Sequence, residues 1–354
     1  MTAPRKAVVV GALGVIGRYI VEELEADGWE VVGLSRRQGK NRGRVRYVSV
    51  DLLDDSSVES AADAIADVTH VFYAAFQAVP GAASGYAANV GPNLQMLVNS
   101  VAAVEARSPA LKRVVLVTGT KTYGVHLGPY QTPARESDPR HMPPNYYFDQ
   151  VDWLVERQKG KSWDWTELRP QTLCGFAPGT PMSIVPVIAV YAAFCRELGL
   201  PLRFPGPTAA YEAIYQVTDS AHFARACRWA ALEPRCSNEA YNITNGDYFR
   251  WCNLWPRFAD FFALSYAPPQ AISLLTTMAD KGPLWNGIIA KHRLRPHAFE
   301  DIAAWAFGDY VFGSTWDVMS NVTKSRQHGF HDVVDSEEMF LDLFQRFRDE
   351  RIIP

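Results

Sequence analysis

Through the first half of the chain, short runs of β-branched residues alternate with stretches whose apolar residues recur at helical spacing. KAVVVGA (6–12) is followed by VIGRYIVEELEADG (15–28), then WEVVGLS (29–35) and VRYVSVD (45–51). SVESAADAIAD (57–67) reads as helix, THVFYAAF (69–76) as strand and NLQMLVNSVAAVEA (93–106) as helix again. KRVVLVTG (112–119) and WDWTELRP (163–170) close the series. Strands that are apolar at nearly every position, separated by amphipathic helices, predict a parallel sheet covered on both faces. The β-α-β order makes this an α/β chain with a doubly wound sheet. After Pro170 the pattern loosens into prolines, aromatics and longer helices, and AYNITN (240–245) predicts one further strand returning to the sheet.

Composition changes this picture little. The 354 residues are 48% apolar and 21% charged, ordinary for a globular protein. A net charge of −3, with no basic run beyond RRQGKNRGR, argues against nucleic acid as a partner. Cys174, Cys195, Cys227, Cys236 and Cys252 form no CxxC pair, which argues against a disulfide framework and against a metal site. The longest apolar run, Ile184 to Phe194, is short of the roughly 20 residues that span a bilayer. MTAPRKAVVVGA leads straight into a strand, without the pattern of a signal peptide. The expectation is a cytoplasmic protein with no membrane partner.

GALGVIG sets Gly11, Gly14 and Gly17 between the first strand and its helix, with Leu13, Val15 and Ile16 between them. In such a turn the first glycine permits the bend and the second lets backbone approach a pyrophosphate. The third lets the helix pack on the strand, and the helix N-terminus favours the phosphates. This predicts a dinucleotide-binding domain over residues 1–178, with 211–250 returning to it. A smaller, mainly helical substrate lobe is expected over 179–210 and 251–354. The end of the second strand bears on which dinucleotide. Carboxylates there hold the ribose 2′-hydroxyl of NAD. This chain has Ser35, Arg36 and Arg37, whose guanidinium forks suit the 2′-phosphate of NADP(H), unless they are merely solvated surface charges. Asp51 and Leu52 end the third strand. Asp51 is placed to accept from the adenine amine or, equally, to cap a helix.

PPNYYFDQVDWLVE (143–156) places two tyrosines at a helix start, where many reductases hold a proton donor. A lysine four residues after a tyrosine would complete that arrangement, but none of the lysines has tyrosine at that spacing. VTGTKTYG supplies one from elsewhere: Lys121, with Thr118 and Gly119, leaves the fifth strand at the carboxyl edge, where such sheets bind ligands.

At these residues the chain resembles the plant progesterone 5β-reductase and iridoid synthase family, an atypical branch of the extended short-chain dehydrogenases. The resemblance runs over GxxGxxG, the SRR segment, DVTHVFY (67–73), TGTKTY (118–123) and NYYFDQVD (145–152). It continues through RPQTLCGF (169–176), NEAYNITNGDYFRW (238–251) and SRQHGF (325–330), nearly the full length. Without the N-terminal extension of plant members, the chain resembles a bacterial-type relative.

The resemblance implies NADPH-dependent reduction of the activated C=C of an enone or enal, with the TGTK lysine carried onto Lys121. The last tyrosine of the family's N-F-Y-Y motif is carried onto Phe148, which has no hydroxyl. Tyr147 and Tyr146 are then the nearest substitutes. One residue of offset turns a helical side chain by about 100°, so Tyr147 is expected to point away from the substrate unless the helix begins differently. The resemblance further implies cofactor contacts from Ala75, Pro170, Leu173, Thr180 and Met182. An aromatic content of 12% suits a small apolar substrate, with the pocket expected to draw on Phe76, Tyr123, Tyr147 and Phe307. His126 and His141 lie near the same mouth, and as lone histidines read better as surface residues than as acids. A homodimer is compatible with this reading. Two rivals stand beside it: a carbonyl reductase or epimerase-like member, and a catalytically silent NADP-binding regulator.

Overall fold

A computed structural model describes residues 5–79, 86–178 and 182–354, with Tyr86 described in its backbone only. Among the described residues the central sheet has seven strands. These are β1 Lys6–Val10, β2 Glu30–Ser35, β3 Val45–Ser49, β4 His70–Tyr73, β5 Arg113–Val117, β6 Asp164–Pro170 and β7 Glu239–Ile243. All pairs are parallel, in the order β7-β6-β5-β4-β1-β2-β3. The order reverses at β1, so the crevice between the carboxyl ends of β1 and β4 is where a doubly wound sheet takes its ligand.

The helices that matter here are α1 Gly17–Ala26, α2 Tyr86–Arg107, α3 Tyr146–Gln158, α4 Ile184–Glu197 and α5 Ser220–Leu232. α6 Trp251–Phe261, α7 Trp305–Phe312 and α8 Ser336–Asp349 complete the set. Period-two alternation divides β1 between two cores. Ala7 and Val9 pack with Tyr19, Ile20 and Leu24 of α1 and with Phe223 and Cys227 of α5. Val8 and Val10 pack on the other face with Leu97, Val101 and Val104 of α2 and Leu154 of α3.

AYNITN does form a strand: β7 pairs with β6 at the sheet edge, from Glu239 opposite Thr166 to Ile243 opposite Pro170. The predicted helix over 57–67 is shorter and earlier, Asp55–Ser60, because Asp54 caps it by accepting from the amides of Ser56 and Ser57. The chain then proceeds in turns that bury Ala61, Ala64 and Ile65.

A third core holds the C-terminal part together. The apolar run Ile184 to Phe194 lies in α4, buried on every side, as expected of a helix without a polar face. Around it pack Trp255 and Phe258 of α6, Val311 and Phe312 of α7, and Phe340 and Phe344 of α8. This packing holds α7 over the carboxyl edge of the sheet, where Phe307 and Tyr310 join the cavity described next. Among the described residues no helix is long and apolar enough to cross a membrane.

Candidate active site

A cavity of about 680 Å³ runs along the carboxyl edge of the sheet from β3 to β6. At one end lies the glycine turn. Gly11 has φ +84°, and a Cβ there would stand 2.8 Å from the Ala74 carbonyl oxygen, so only glycine fits. Gly14 donates to the Gly11 carbonyl (2.9 Å) and faces the cavity together with Leu13, Val15 and Ile16. Gly17 does not line it. A Cβ at Gly17 would come within 2.1 Å of the Gly11 oxygen, so this glycine seats α1 against the turn, the packing role its place in the motif predicts.

Ser35, Arg36, Arg37, Asp51 and Leu52 line the same end. Both arginines are exposed, and Arg36 Nη1 approaches Gln77 Oε1 at 3.4 Å. Of the two readings of Asp51, helix capping falls to Asp54. Asp51 instead accepts from the Leu53 amide (3.0 Å), leaving its carboxylate at the cavity edge.

At the opposite end the strands deliver Ala75 and Phe76 after β4, Thr118, Gly119 and Lys121 after β5, and Pro170 and Leu173 at the end of β6 and beyond. Met182 and Phe307 join them. Thr180 lies outside the described residues. Thr118 Oγ1 donates to Glu167 Oε1 (2.6 Å), a carboxylate buried beneath the cavity floor and paired with Arg169 (2.7 Å). Lys121 sits in the 3-10 turn Thr120–Tyr123, its Nζ 5.8 Å from the centre of the Tyr310 ring.

The start of α3 differs from the sequence expectation. Asn145 is the N-cap, its Oδ1 accepting from the Tyr147 amide at 3.1 Å. With the helix phased this way, Tyr146, Tyr147 and Gln150 face the cavity. The Tyr147 hydroxyl lies 3.3 Å from where a Cβ on Gly119 would stand, so it rests against main chain that carries no side chain. Tyr146 stacks on Phe76 with ring centres 5.4 Å apart, extending an aromatic wall.

Phe148 is turned out of the cavity. Its ring lies 5.2 Å from that of His141, and the Arg140 guanidinium covers it at 4.8 Å. Arg140 is in turn held by both Asp152 oxygens (2.7 and 2.8 Å). Two expectations are therefore corrected: Phe148 does not occupy the cavity position, and Tyr147 does not point away. The 100° offset between neighbours holds, and the cap at Asn145 sets its phase. The charges carried the signal. Asp149, Asp152 and Glu156 mark the side away from the cavity, and Phe148, itself buried beneath Arg140, shares a face with Asp152 at i, i+4.

Tyr123 is a third correction. It is buried off the cavity, its hydroxyl donating to Asn242 Oδ1 (2.7 Å) and accepting from Arg169 Nη1 (2.9 Å). Burial raises its phenol well above the usual range. The sequence reading missed Tyr310, which shares a face of α7 with Phe307 at i, i+3, a spacing that could have found it. Neither histidine lines the cavity. Burial, with Lys121 and His141 alongside, pushes His126 down to about 4. His141 Nε2 donates to the Lys121 carbonyl at 2.8 Å. Among the described residues there is no cluster of metal-ligating side chains.

Residues 44–354 match the model of the PRISE-like Rossmann-fold domain. The chain is 33% identical to an (S)-8-oxocitronellyl enol synthase of Nepeta cataria, over 99% of this chain and 95% of that one. It is 30% identical to a 3-oxo-Δ4,5-steroid 5β-reductase of Arabidopsis thaliana, over 98% of this chain and 93% of that one. Among solved structures it is similar in fold to the UDP-N-acetylglucosamine 4-epimerase of Methanobrevibacter ruminantium. That match has a TM-score of 0.70 and 16% identity over 98% of this chain and 99% of that one. The Bordetella bronchiseptica enzyme WbmG in complex with NAD is likewise similar, with a TM-score of 0.68 and 14% identity over 99% and 96%. Sheet, glycine turn and full-length similarity agree: the chain belongs to the PRISE-like Rossmann-fold family.

Proposed function

We propose that the chain is an NADPH-dependent reductase of the activated C=C bond in small, apolar enones and enals. One observation carries the reading: Lys121 and Tyr147, from the end of β5 and the start of α3, line one cavity with the glycine turn. The residues present fit a dinucleotide, since Gly11 leaves no room for a Cβ in the turn. Gly14 lies open to the cavity beside the N-terminus of α1. Arg36 and Arg37 would hold the 2′-phosphate.

When bound, the nicotinamide supplies the hydride. Lys121 would donate to the ribose hydroxyls and set their orientation. The Tyr147 hydroxyl would donate to the substrate carbonyl, stabilising the negative charge that gathers on oxygen as the β-carbon is reduced. One such donor contributes roughly 2.7–4 kcal/mol. The walls of Phe76, Tyr146, Phe307 and Tyr310 would exclude water and accept a flat apolar molecule. The names of the relatives point the same way, since a 3-oxo-Δ4,5-steroid is itself an enone. With Tyr147 in the cavity, the silent-regulator rival loses its support in Phe148.

The test is NADPH oxidation with 2-cyclohexen-1-one and progesterone, followed by product analysis. The saturated ketone supports this reading. The allylic alcohol would favour a carbonyl reductase, and no turnover on any enone would remove the proposal.

A further inference from the structure

Lys121 and Tyr147 come from elements 26 residues apart in sequence, the turn after β5 and the first turn of α3. One side chain touches the main chain of both. Asn145 has no exposed surface. Its Nδ2 donates to the Lys121 carbonyl (3.0 Å) and its Oδ1 accepts from the Tyr147 amide (3.1 Å). Its partners fix which end is which, since a carbonyl only accepts and an amide only donates.

Capping α3 requires only the oxygen, which serine or aspartate would supply as well. The NH₂ end is surplus to that task and is committed to the residue that carries the ammonium. We propose that Asn145 is a positioning residue, setting the separation between the Lys121 ammonium and the Tyr147 hydroxyl through their backbones. This deepens the reductase reading and rests on it. His141 Nε2 donates to the same carbonyl, but His141 is partly exposed and bonds to no amide of α3, so it ties down one partner only. A displacement of about 1 Å between reacting groups can reduce a rate about 100-fold, which gives such a link its leverage.

Two variants keep the cap and cut the link. Asn145→Asp retains an acceptor for the Tyr147 amide and turns an acceptor toward the Lys121 carbonyl. Asn145→Ser retains a cap and reaches Lys121 no longer. Both are expected to lose kcat by about 30-fold or more. The KM for the enone and the Kd for NADPH should stay within about threefold, a split that a general loss of structure would not produce.

A second readout needs no turnover. In the protein without dinucleotide, the rate at which the Lys121 amine is acetylated at fixed pH, followed by peptide mass spectrometry, is expected to change in both variants. Retention of kcat within about threefold together with an unchanged Lys121 acetylation rate would reduce Asn145 to a helix cap and overturn the proposal. A wild-type protein that never oxidises NADPH would instead remove the reductase reading, while the Lys121 acetylation rate would still decide the role of Asn145. Should one variant fail to fold, the other carries both measurements.

Discussion

At the end of the cavity beside the carboxyl ends of β1, β2 and β3, the wall is built from main chain and open charge. Gly11 and Gly14 shape the turn, and Arg36 and Arg37 stand exposed beside it. At the other end every side chain proposed for the chemistry is held by something else. Lys121 is tied through its carbonyl to His141 and Asn145, the Tyr147 hydroxyl rests on Gly119, and Thr118 is anchored to a buried Glu167. The first end sits in water and is screened; the second sits among aromatic rings. Binding energy at the first tolerates looseness, because an exposed ion pair contributes little and asks for little order. Charge stabilisation at the second does not, because its strength depends on donors already in place.

The sharpest way to break the comparison is Tyr147→Phe. If the ordered end carries the chemistry, kcat/KM for an enone falls about 10²–10³-fold, with the Kd for NADPH nearly unchanged. A rate within about threefold of wild type would mean that solvent or Tyr310 supplies the hydrogen bond, and the two ends would then differ in nothing that matters.

Tyr123→Phe asks what the scaffold behind the site contributes. It removes the hydroxyl between Arg169 and Asn242 and leaves both buried groups short of a partner. Stability is expected to fall by about 1–3 kcal/mol in urea or thermal unfolding. The rate should change far less than in Tyr147→Phe, because this ring does not face the cavity.

The two ends also differed in how legible they were. Gly11, Arg36 and Lys121 could be found in the sequence because their place follows from strand ends, and strands declare themselves by continuous apolar runs such as KAVVV and RVVLV. Tyr147 and Phe148 could not be separated by motif alone. Which of two neighbours faces a cavity depends on where the helix begins, and that depends on Asn145 acting as its cap. Tyr123 failed for a related reason: its side chain is claimed by Arg169 and Asn242, from β6 and β7, which are distant in sequence. Tyr310 belongs to α7, whose position over the sheet is set by the packing of α4, α6 and α8 rather than by any local pattern.

At the open end, replacing Arg36 and Arg37 together by alanine is expected to weaken NADPH binding by about tenfold or somewhat more, with NADH binding little changed. The loss should shrink as salt is raised, since the Debye length is about 8 Å at 0.15 M ionic strength and shorter above it. Equal losses for the two dinucleotides would mean that these arginines contact the shared pyrophosphate instead. A loss insensitive to salt would mean that this end is drier than its exposure indicates.

The smallest expected effect falls on the residue that motif reading singled out. Phe148→Tyr puts a hydroxyl at the last position of the aromatic triplet, the place a proton donor was expected to hold. In the structure that ring lies between His141 and the Arg140 guanidinium, away from the cavity. The added oxygen therefore meets cation and imidazole, not substrate, and an enone rate within about twofold of wild type is expected. The double variant Tyr147→Phe with Phe148→Tyr sharpens the point. If α3 keeps its phase, the second change does not rescue the first. Rescue would require α3 to rotate by about 100°, and with it Asn145 would let go of either Lys121 or Tyr147. A rescued rate would thus count against the orientation of Tyr147 and against the role of Asn145 at once.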